Sequence, residues 1–373
     1  MRRKSLLALA VLAVVAAAIA ATLGMGRAQA APKLTNITLQ LKWVPQAQFA
    51  GFYAALAKGY YQQEGLNVTL KPGGPDITPE QVVLSGGATF GLDWLPNLFA
   101  TREKGGKIIS IAQIYARSGM TELTWKSSGI DSIKKMRGKK VGVWCCGNQP
   151  ELFAALNKNG INPNDKSAVT IVNQPFDMNL FLQHKIDAAA AMTYNELAQV
   201  LETKNPATGK LYQLSDLNVF KMDSPRVGTG MLEDNVFTTP KWLNASAANQ
   251  ATATKFLKAS FEGWIYCRSH VSECTDIVLK AGTALGHGHQ LWQMNEVNKL
   301  IWPNKAGIGH ALPSQVKQTA LIAKTYGVIK KMPVGATDYH WADIALDQLK
   351  KAHVDVYGRG YKPIKVSVTP GGK

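Results

Sequence analysis

Aromatic and acidic side chains occur together at two places where a strand pattern gives way to a helix pattern. Trp43 and Phe49 follow the alternating run Ile37–Leu41, and Asp93 and Trp94 end another short strand pattern. Aromatic rings hold other flat rings by offset stacking, worth about 0.5–1.5 kcal/mol per pair beyond the buried area. A carboxylate between two such rings accepts hydrogen bonds from ring N–H donors. This pattern predicts a site for a flat heteroaromatic solute, with ordinary core packing of the tryptophans as the alternative.

A second candidate site follows the strand pattern that ends at Trp144. Gly147 and Asn148 lie between that strand and a helix pattern that begins at Pro150. Free backbone N–H groups at a helix start bind polar or anionic groups, so we expect Gly147 and Asn148 to contact a ligand. The alternative is a plain capped turn. The chain contains no G-x-G-x-x-G sequence, which excludes the usual dinucleotide-binding fingerprint.

Two acidic positions complete the set of candidate ligand residues. Tyr194, Asn195 and Glu196 follow a strand pattern of small residues, and Asp234 ends the strand-like run 227–234. An ionised glutamate accepts two parallel hydrogen bonds, which gives specificity in the plane of a ring. Glu196 could instead be a charge that stabilises a helix N-terminus, and Asp234 could merely cap a turn.

The first thirty residues have the organisation of a cleaved signal peptide. A basic start precedes the apolar run Leu6–Met25, and Ala28–Ala30 offers a small-x-small cleavage site. Removal of residues 1–30 would take away four positive charges and leave a net charge of +13 (17 − 4). The apolar run is about long enough to span a bilayer, so an uncleaved anchor is the alternative. We predict a soluble chain exported to the periplasm or another extracytoplasmic space.

The four cysteines are interpreted in the light of export, which permits disulfides. Cys267 and Cys274 flank a polar stretch between two helix patterns, and we predict a bridge between them. Cys145 and Cys146 are adjacent, so a mutual bond would be strained, and two packed thiols are the alternative. Paired C-x-x-C spacings are missing and the histidines are dispersed, so no metal or other cofactor is predicted.

Composition and charge exclude several classes of protein. Of the 373 residues 46% are hydrophobic and 18% are charged, which excludes a disordered or fibrous chain. The net charge of +17 invites a nucleic-acid interpretation. However, the lysines are scattered, and the densest basic run, residues 134–140, contains no aromatic ring to stack on a base. We therefore predict no nucleic-acid partner.

The elements that position these residues alternate between strand and helix, which predicts an α/β fold of two lobes. Residues 31–126 and 220–373 are predicted to form the first lobe, and residues 127–219 an inserted second lobe. The chain is mainly helical after about residue 241. Two chain crossings between lobes leave a cleft, and such clefts are preferred ligand sites.

Several segments resemble the thiamine-pyrimidine synthase-like family. They are Leu41–Phe52, Ala57–Leu66, Gly138–Val143 and Gly228–Asp234. The resemblance implies a type II-like periplasmic-binding-protein fold, here with a helical C-terminal extension. It implies a monomeric solute-binding component of an ABC importer, with a membrane permease as its partner. An aminopyrimidine precursor of thiamine is the ligand expected to pair with Glu196; riboflavin or a sulfonate is the alternative.

The same family contains enzymes that build the thiamine pyrimidine, and these are said to consume an active-site histidine. The matching position in this sequence, before Ala50 and Gly51, is Phe49. A phenyl ring has no imidazole nitrogen to donate. Cys145 and Cys146 resemble a remnant of the cysteine-rich motif of those enzymes. Together with the export signal, the phenylalanine favours a binding protein over an enzyme.

Overall fold

A computed structural model describes residues 33–145, 147–282, 284 and 286–373. The predicted signal peptide and Cys146 therefore lie outside the described residues. Residues 35–373 form one unit that contains two mixed five-stranded sheets. We call each sheet, with the helices that pack on it, the first and the second lobe.

The first sheet has the strand order β2-β1-β3-β10-β4. Its strands are β1 (Thr35–Gln40), β2 (Leu66–Lys71), β3 (Phe90–Trp94), β4 (Ile109–Gln113) and β10 (Asp234–Thr238). The first three are mutually parallel, whereas β10 runs antiparallel to both β3 and β4. The alternation of β1 buries Ile37 and Leu39 on one face, as its sequence predicts.

The second sheet repeats this arrangement with the order β7-β6-β8-β5-β9. Its strands are β5 (Met120–Trp125), β6 (Lys140–Val143), β7 (Thr170–Asn173), β8 (Ala188–Met192) and β9 (Leu217–Lys221). Strands β6, β7 and β8 are parallel, and β5 runs antiparallel between β8 and β9. In both sheets the carboxyl ends of three parallel strands meet at one edge, where α/β proteins usually bind ligands.

Helices connect and cover the strands. In the first part of the chain they are α1 (Ala50–Ala57), α2 (Tyr60–Gln63), α3 (Pro79–Leu84), α4 (Leu95–Glu103), α5 (Pro150–Lys158), α6 (Asn179–Leu182) and α7 (Glu196–Leu201). The C-terminal part adds α8 (Pro240–Leu243), α9 (Ala247–Ser269), α10 (Val271–Lys280), α11 (His287–Ile301), α12 (Pro313–Thr325) and α13 (His340–Lys351). Short 3₁₀ turns occur at Ala47–Phe49, Lys126–Ser128, Ile133–Met136, Leu214–Asp216 and Pro370–Gly372. In the part of the chain that the structure describes, none of the helices has the length and apolarity needed to cross a membrane.

The second sheet extends beyond the predicted second lobe, residues 127–219, at both ends. Strand β5 precedes residue 127, and β9 continues past residue 219. The crossings are therefore residues 114–119 and 222–233. The run 227–234 does not form a strand: the Thr229 and Gly230 backbone N–H groups both donate to the Met222 carbonyl, and Asp234 begins β10.

Helix α9 fixes the position of α1, and with it the loop that follows β1. A Cβ atom on Gly263 would lie 2.0 Å from the Gly51 carbonyl oxygen, and one on Gly51 would lie 2.1 Å from the Trp264 ring. Both glycines are therefore required for the close approach of the two helices. Four residues after Gly263, α9 is joined to α10 by the disulfide Cys267–Cys274, with a Cα–Cα distance of 5.5 Å. The bridge predicted there is confirmed.

Candidate functional site

A cavity of about 380 Å³ lies between the two lobes. From the first lobe it is lined by Lys42, Trp43, Gln46, Gln48 and Trp94. From the second lobe it is lined by Trp144, Asn148, Phe176, Met192, Tyr194, Asn195 and Glu196. These residues end or follow the parallel strands β1, β3, β6, β7 and β8. The cavity is thus built by strand ends of both sheets.

Three aromatic rings from both lobes form one wall. Trp43 of the first lobe contacts Phe176 of the second, with ring centroids 4.2 Å apart. Trp144 lies nearly parallel to Phe176, at 6.4 Å and an interplanar angle of 11°. Phe176 is 36% exposed although it is large and apolar. Its exposed ring offers a surface on which a flat guest molecule could stack.

A buried ion pair supports the first-lobe side of the cavity. The Lys42 ammonium group contacts the Asp93 carboxylate and lies 4.9 Å from the centroid of the Trp94 ring. The same Asp93 oxygen also accepts from the Trp94 backbone N–H and from the Asn97 amide. Burial acts to lower the pKa of Lys42, but Asp93 overcomes this effect and holds that pKa above its ordinary value. The cation is therefore neutralised locally by its own lobe.

The Glu196 carboxylate forms the polar edge of the second-lobe side. One oxygen accepts from the Met192 backbone N–H at 2.9 Å, and the other from the Asn195 amide at 2.7 Å. Burial raises the pKa of Glu196 to about 7, against the effect of these donors. Each carboxylate oxygen can accept a further hydrogen bond, so Glu196 keeps capacity for a ligand N–H group.

Asp234 lies behind the cavity and contacts a residue that lines it. Its carboxylate accepts from the Gln48 amide at 3.1 and 3.3 Å, and Gln48 in turn lines the cavity. Burial raises the pKa of Asp234 to about 7, opposed by the Gln48 amide and by Lys42. Asp234 therefore orients a cavity residue and does not itself line the cavity.

The predicted ligand residues fall into three groups. Those that line the cavity are Trp43, Trp94, Asn148, Tyr194, Asn195 and Glu196. Asp93 and Gly147 line an adjoining cavity of about 940 Å³ that shares Lys42, Trp43, Asn148 and Phe176 with the first. Phe49 and Asp234 line neither. The 3₁₀ turn directs Phe49 inward, where its ring is fully buried.

The turn after β6 differs from its predicted form. The Gly147 backbone N–H donates to the Gln149 side chain at 3.1 Å, and the Asn148 amide donates to the Cys145 carbonyl at 3.1 Å. These two donors, which were expected to bind a ligand, thus form hydrogen bonds within the turn instead. Gly147 has a φ of 102°, and a Cβ atom there would lie 2.8 Å from the Asn97 amide of the first lobe. Cys145 is disulfide-bonded, a redox state that the sequence leaves open.

Six lining residues were not singled out from the sequence: Lys42, Gln46, Gln48, Trp144, Phe176 and Met192. Lys42, Gln46 and Gln48 flank Trp43 within the loop after β1, and Trp144 and Met192 stand at the ends of β6 and β8. The strand-end rule that selects Trp43 and Glu196 would also have selected these five. Phe176 lies three residues after β7 in an irregular segment, so only its aromatic character could have drawn attention to it.

Comparison with known proteins identifies relatives over part of the chain. A family model described as NMT1/THI5 like matches residues 46–273. The riboflavin-binding protein RibY of Chloroflexus aurantiacus is 27% identical over 183 residues, which cover 46% of this chain and 49% of RibY. A 4-amino-5-hydroxymethyl-2-methylpyrimidine phosphate synthase of Saccharomyces cerevisiae, THI11, is 26% identical over 194 residues, or 50% of this chain and 54% of the synthase. The matches thus span about half the length of these curated relatives.

Solved structures share the fold over a larger part of the chain. A putative periplasmic sulfonate-binding protein SsuA of Methylobacillus flagellatus KT has a TM-score of 0.59 at 14% identity, covering 90% of this chain and 99% of that protein. The aliphatic sulphonate-binding protein SsuA of Escherichia coli has a TM-score of 0.55 at 13% identity, covering 90% and 94%. These similarities show a two-lobe periplasmic-binding-protein fold with a helical C-terminal region, as predicted.

Proposed function

The chain belongs to the NMT1/THI5-like family, and on that basis we propose that it is the extracytoplasmic solute-binding component of an ABC importer. In this proposal a flat heteroaromatic vitamin precursor occupies the cavity between the lobes. The ligand is bound and released unchanged. A membrane permease receives it, and the binding protein acts as a monomer.

The observation that carries the proposal is the aromatic wall shared by the two lobes. Trp43 from one lobe and Phe176 from the other meet at 4.2 Å, and Glu196 provides an acceptor at the edge of the same cavity. Stacking would hold the faces of a planar ring, and the carboxylate would select its in-plane donors.

The preferred ligand is an aminopyrimidine of thiamine metabolism. Its amino group and ring would present N–H donors to Glu196, whose oxygens can each accept another bond. A formylaminopyrimidine-binding protein of Halalkalibacterium halodurans is 27% identical over 110 residues, or 29% of this chain and 33% of that protein, which supports this choice. Riboflavin is the alternative, because RibY is a relative and the adjoining cavity offers further space.

A sulfonate fits the cavity less well. Among the described residues that line the cavity none is an arginine, and the Lys42 ammonium group is already paired with Asp93. An anion would therefore have to compete with a buried carboxylate for Lys42. Such competition disfavours a ligand whose recognition depends on charge.

Ligand exchange requires the lobes to separate. We propose that residues 114–119 and 222–233, which cross between the sheets, act as the hinge. At this crossing the Ser118 hydroxyl lies 2.7 Å from a Glu151 oxygen and 2.9 Å from a Glu233 oxygen. The Gly119 and Met120 backbone N–H groups also donate to Glu233. These bonds join both crossing segments, so they would keep the hinge ordered as the lobes move.

The alternative from another class is a thiamine-pyrimidine synthase. The side chain that such chemistry would consume is replaced here by Phe49, which is buried behind the cavity. The phenylalanine at this position disfavours the synthase reaction, and a binding protein is the better proposal.

A ligand screen with one matched variant tests the proposal. Thermal-shift measurements would use riboflavin, aliphatic sulfonates, formylaminopyrimidine and 4-amino-5-hydroxymethyl-2-methylpyrimidine, since a ligand that binds only the folded state raises its melting temperature. We expect a pyrimidine to bind, and Glu196→Gln to weaken it at least tenfold while Glu262→Gln, outside the cavity, has no effect. Equal losses for riboflavin and the pyrimidine would reject the pyrimidine assignment. Turnover to a pyrimidine product with pyridoxal phosphate and iron would reject the binding class.

A further inference from the structure

Helix α11 contacts the ligand loops of both lobes through side chains near its start. The oxygens of Gln290 and Gln293 accept from the Ala47 backbone N–H, in the loop after β1, at 2.7 and 2.9 Å. His289 Nε2 lies 2.8 Å from the Asn195 side-chain oxygen, and the Trp292 indole donates to the Thr193 carbonyl at 3.0 Å. The helix therefore braces the loop that carries Trp43 and the loop that carries Glu196.

The contact with Asn195 is part of a buried chain of four side chains. Glu202, at the end of α7, places both carboxylate oxygens 3.0 Å from His289 Nδ1. His289 then meets Asn195, whose amide nitrogen donates to Glu196 at 2.7 Å. All four side chains are buried, with His289 only 1% exposed. Water therefore cannot readily substitute for a missing partner, and each donor must face an acceptor.

Hydrogen-bond directions along this chain set how Asn195 is held. Its amide nitrogen donates to Glu196, so its oxygen faces His289 Nε2, which can supply the hydrogen that this oxygen needs. Glu202 lies at the other ring nitrogen and fixes the orientation of the ring. Asn195 thus links the orientation of His289 to that of Glu196.

We propose that His289, held by Glu202, is the positioning and specificity-determining residue that, through Asn195, keeps Glu196 facing the ligand as a hydrogen-bond acceptor. The part of this proposal that concerns ligand choice rests on the proposed function; the positioning of Glu196 does not.

Neighbouring elements also contact this chain of four side chains. Tyr194 adjoins Glu196 on the same loop, and Lys42 lines the cavity from the first lobe while paired with Asp93. The C-terminal segment contributes backbone: the Gly371 N–H donates to the Glu202 carbonyl at 3.0 Å, and Gly372 packs against His289. His289 and Glu202 are therefore covered by backbone of the C-terminal segment.

The positioning is tested in the ligand-free full chain by NMR of the ¹⁵N-labelled side-chain amide groups. We expect the Asn195 amide signal to shift in His289→Leu, which removes the ring that meets its oxygen, and to return towards the wild-type position in His289→Gln, which retains a donor. Glu296→Gln, on the same helix but outside the chain of four, should leave the signal unchanged. An Asn195 signal that is the same in His289→Leu as in the wild type, or that shifts equally in His289→Leu and Glu296→Gln, would overturn the proposal.

A second measurement tests the effect on binding. His289→Gln retains a donor for Asn195, whereas His289→Leu removes the donor. With 4-amino-5-hydroxymethyl-2-methylpyrimidine as probe, we expect His289→Leu to bind roughly tenfold more weakly than the wild type and His289→Gln to recover most of the lost affinity. Wild-type affinity in His289→Leu, or equal losses in the two variants, would contradict the positioning role. If the probe fails to bind wild type, the proposed function fails, while the NMR result still decides the positioning.

Discussion

The Trp43 and Phe176 side chains contact each other across the cleft, although they belong to different sheets and are far apart in sequence. Their rings are 4.2 Å apart at an angle of 58°. Aromatic pairs at such distances attract one another beyond the area they bury. Any flat guest that stacks on either ring must therefore compete with this contact.

Phe176→Ala should weaken ligand binding by roughly tenfold, about 1.4 kcal/mol, because it removes a stacking surface. Since Phe176 is 36% exposed, its loss leaves no large internal cavity, and the melting temperature of the ligand-free protein should change little. Isothermal titration with the best ligand of the screen, and thermal unfolding without ligand, would measure the two quantities.

The matched control for Phe176 is Ile344→Ala on α13, because Ile344 is exposed to a similar degree, 37%, and does not line the cavity. Its affinity should equal that of the wild type. Trp94→Ala is a poorer probe, since Trp94 is only 3% exposed and packs against Lys42. If Phe176→Ala binds as tightly as Ile344→Ala, the aromatic wall has no role in recognition.

The stability of the ligand-free protein should decrease as pH rises from about 5 to about 8. Burial raises the pKa of Glu151 to about 8 and that of Glu196 and Asp234 to about 7, above their ordinary values of 4.5 and 3.8. The folded chain therefore binds more protons than the unfolded chain in this interval. Each carboxyl group contributes its full stabilisation below its pKa in the unfolded chain, and this stabilisation is lost as the pH rises through its pKa in the folded chain. Urea unfolding at several pH values would measure the change.

Glu151→Gln provides the variant for this pH dependence, because the amide cannot ionise. Its free energy of unfolding should fall less steeply with pH than that of the wild type, by an amount on the order of 1 kcal/mol or more. The exposed Glu103→Gln should retain the full slope. A wild-type stability that rises between pH 5 and pH 8 would show that these carboxyl groups are not held protonated in the folded state.

Lys42→Met should destabilise the fold by about 3–5 kcal/mol, because it leaves the buried Asp93 carboxylate without its cation. The double variant Lys42→Met/Asp93→Asn removes both charges. Its amide oxygen still accepts from the Trp94 backbone N–H and from Asn97. We expect it to recover most of the loss in urea unfolding. A double variant less stable than Lys42→Met would mean that Asp93 stabilises the fold independently of Lys42.

The sequence predicts most elements because their burial follows a simple period. The alternating run Ile37–Leu41 overlaps β1, and the helix predicted to begin at Pro150 begins there as α5. Strand β5 was missed because it carries the buried Glu122 between threonines, which hides its apolar character. Pairing with β8 and β9 places β5 in the second sheet, and such pairing depends on the tertiary structure and not on the local sequence.

The candidate site was predictable where side chains stand directly at strand ends, as for Trp43, Trp94 and Glu196. It was not predictable where a short turn sets the side-chain direction. The 3₁₀ turn Ala47–Phe49 rotates Phe49 into the core while Gln48 reaches the cavity. The role of His289 was hidden for another reason: it is 94 residues from Asn195 in sequence and meets it only through packing of α11.

The bonds from α11 to both ligand loops have a consequence for how the smallest working fragment should be defined. A piece ending at residue 273, where the family model stops, would keep every cavity-lining side chain. It would nevertheless lose the acceptors for the Ala47 N–H and the imidazole that meets Asn195. The match to the family model therefore ends before the helix that holds both ligand loops in place. Expression trials should retain the chain through α11.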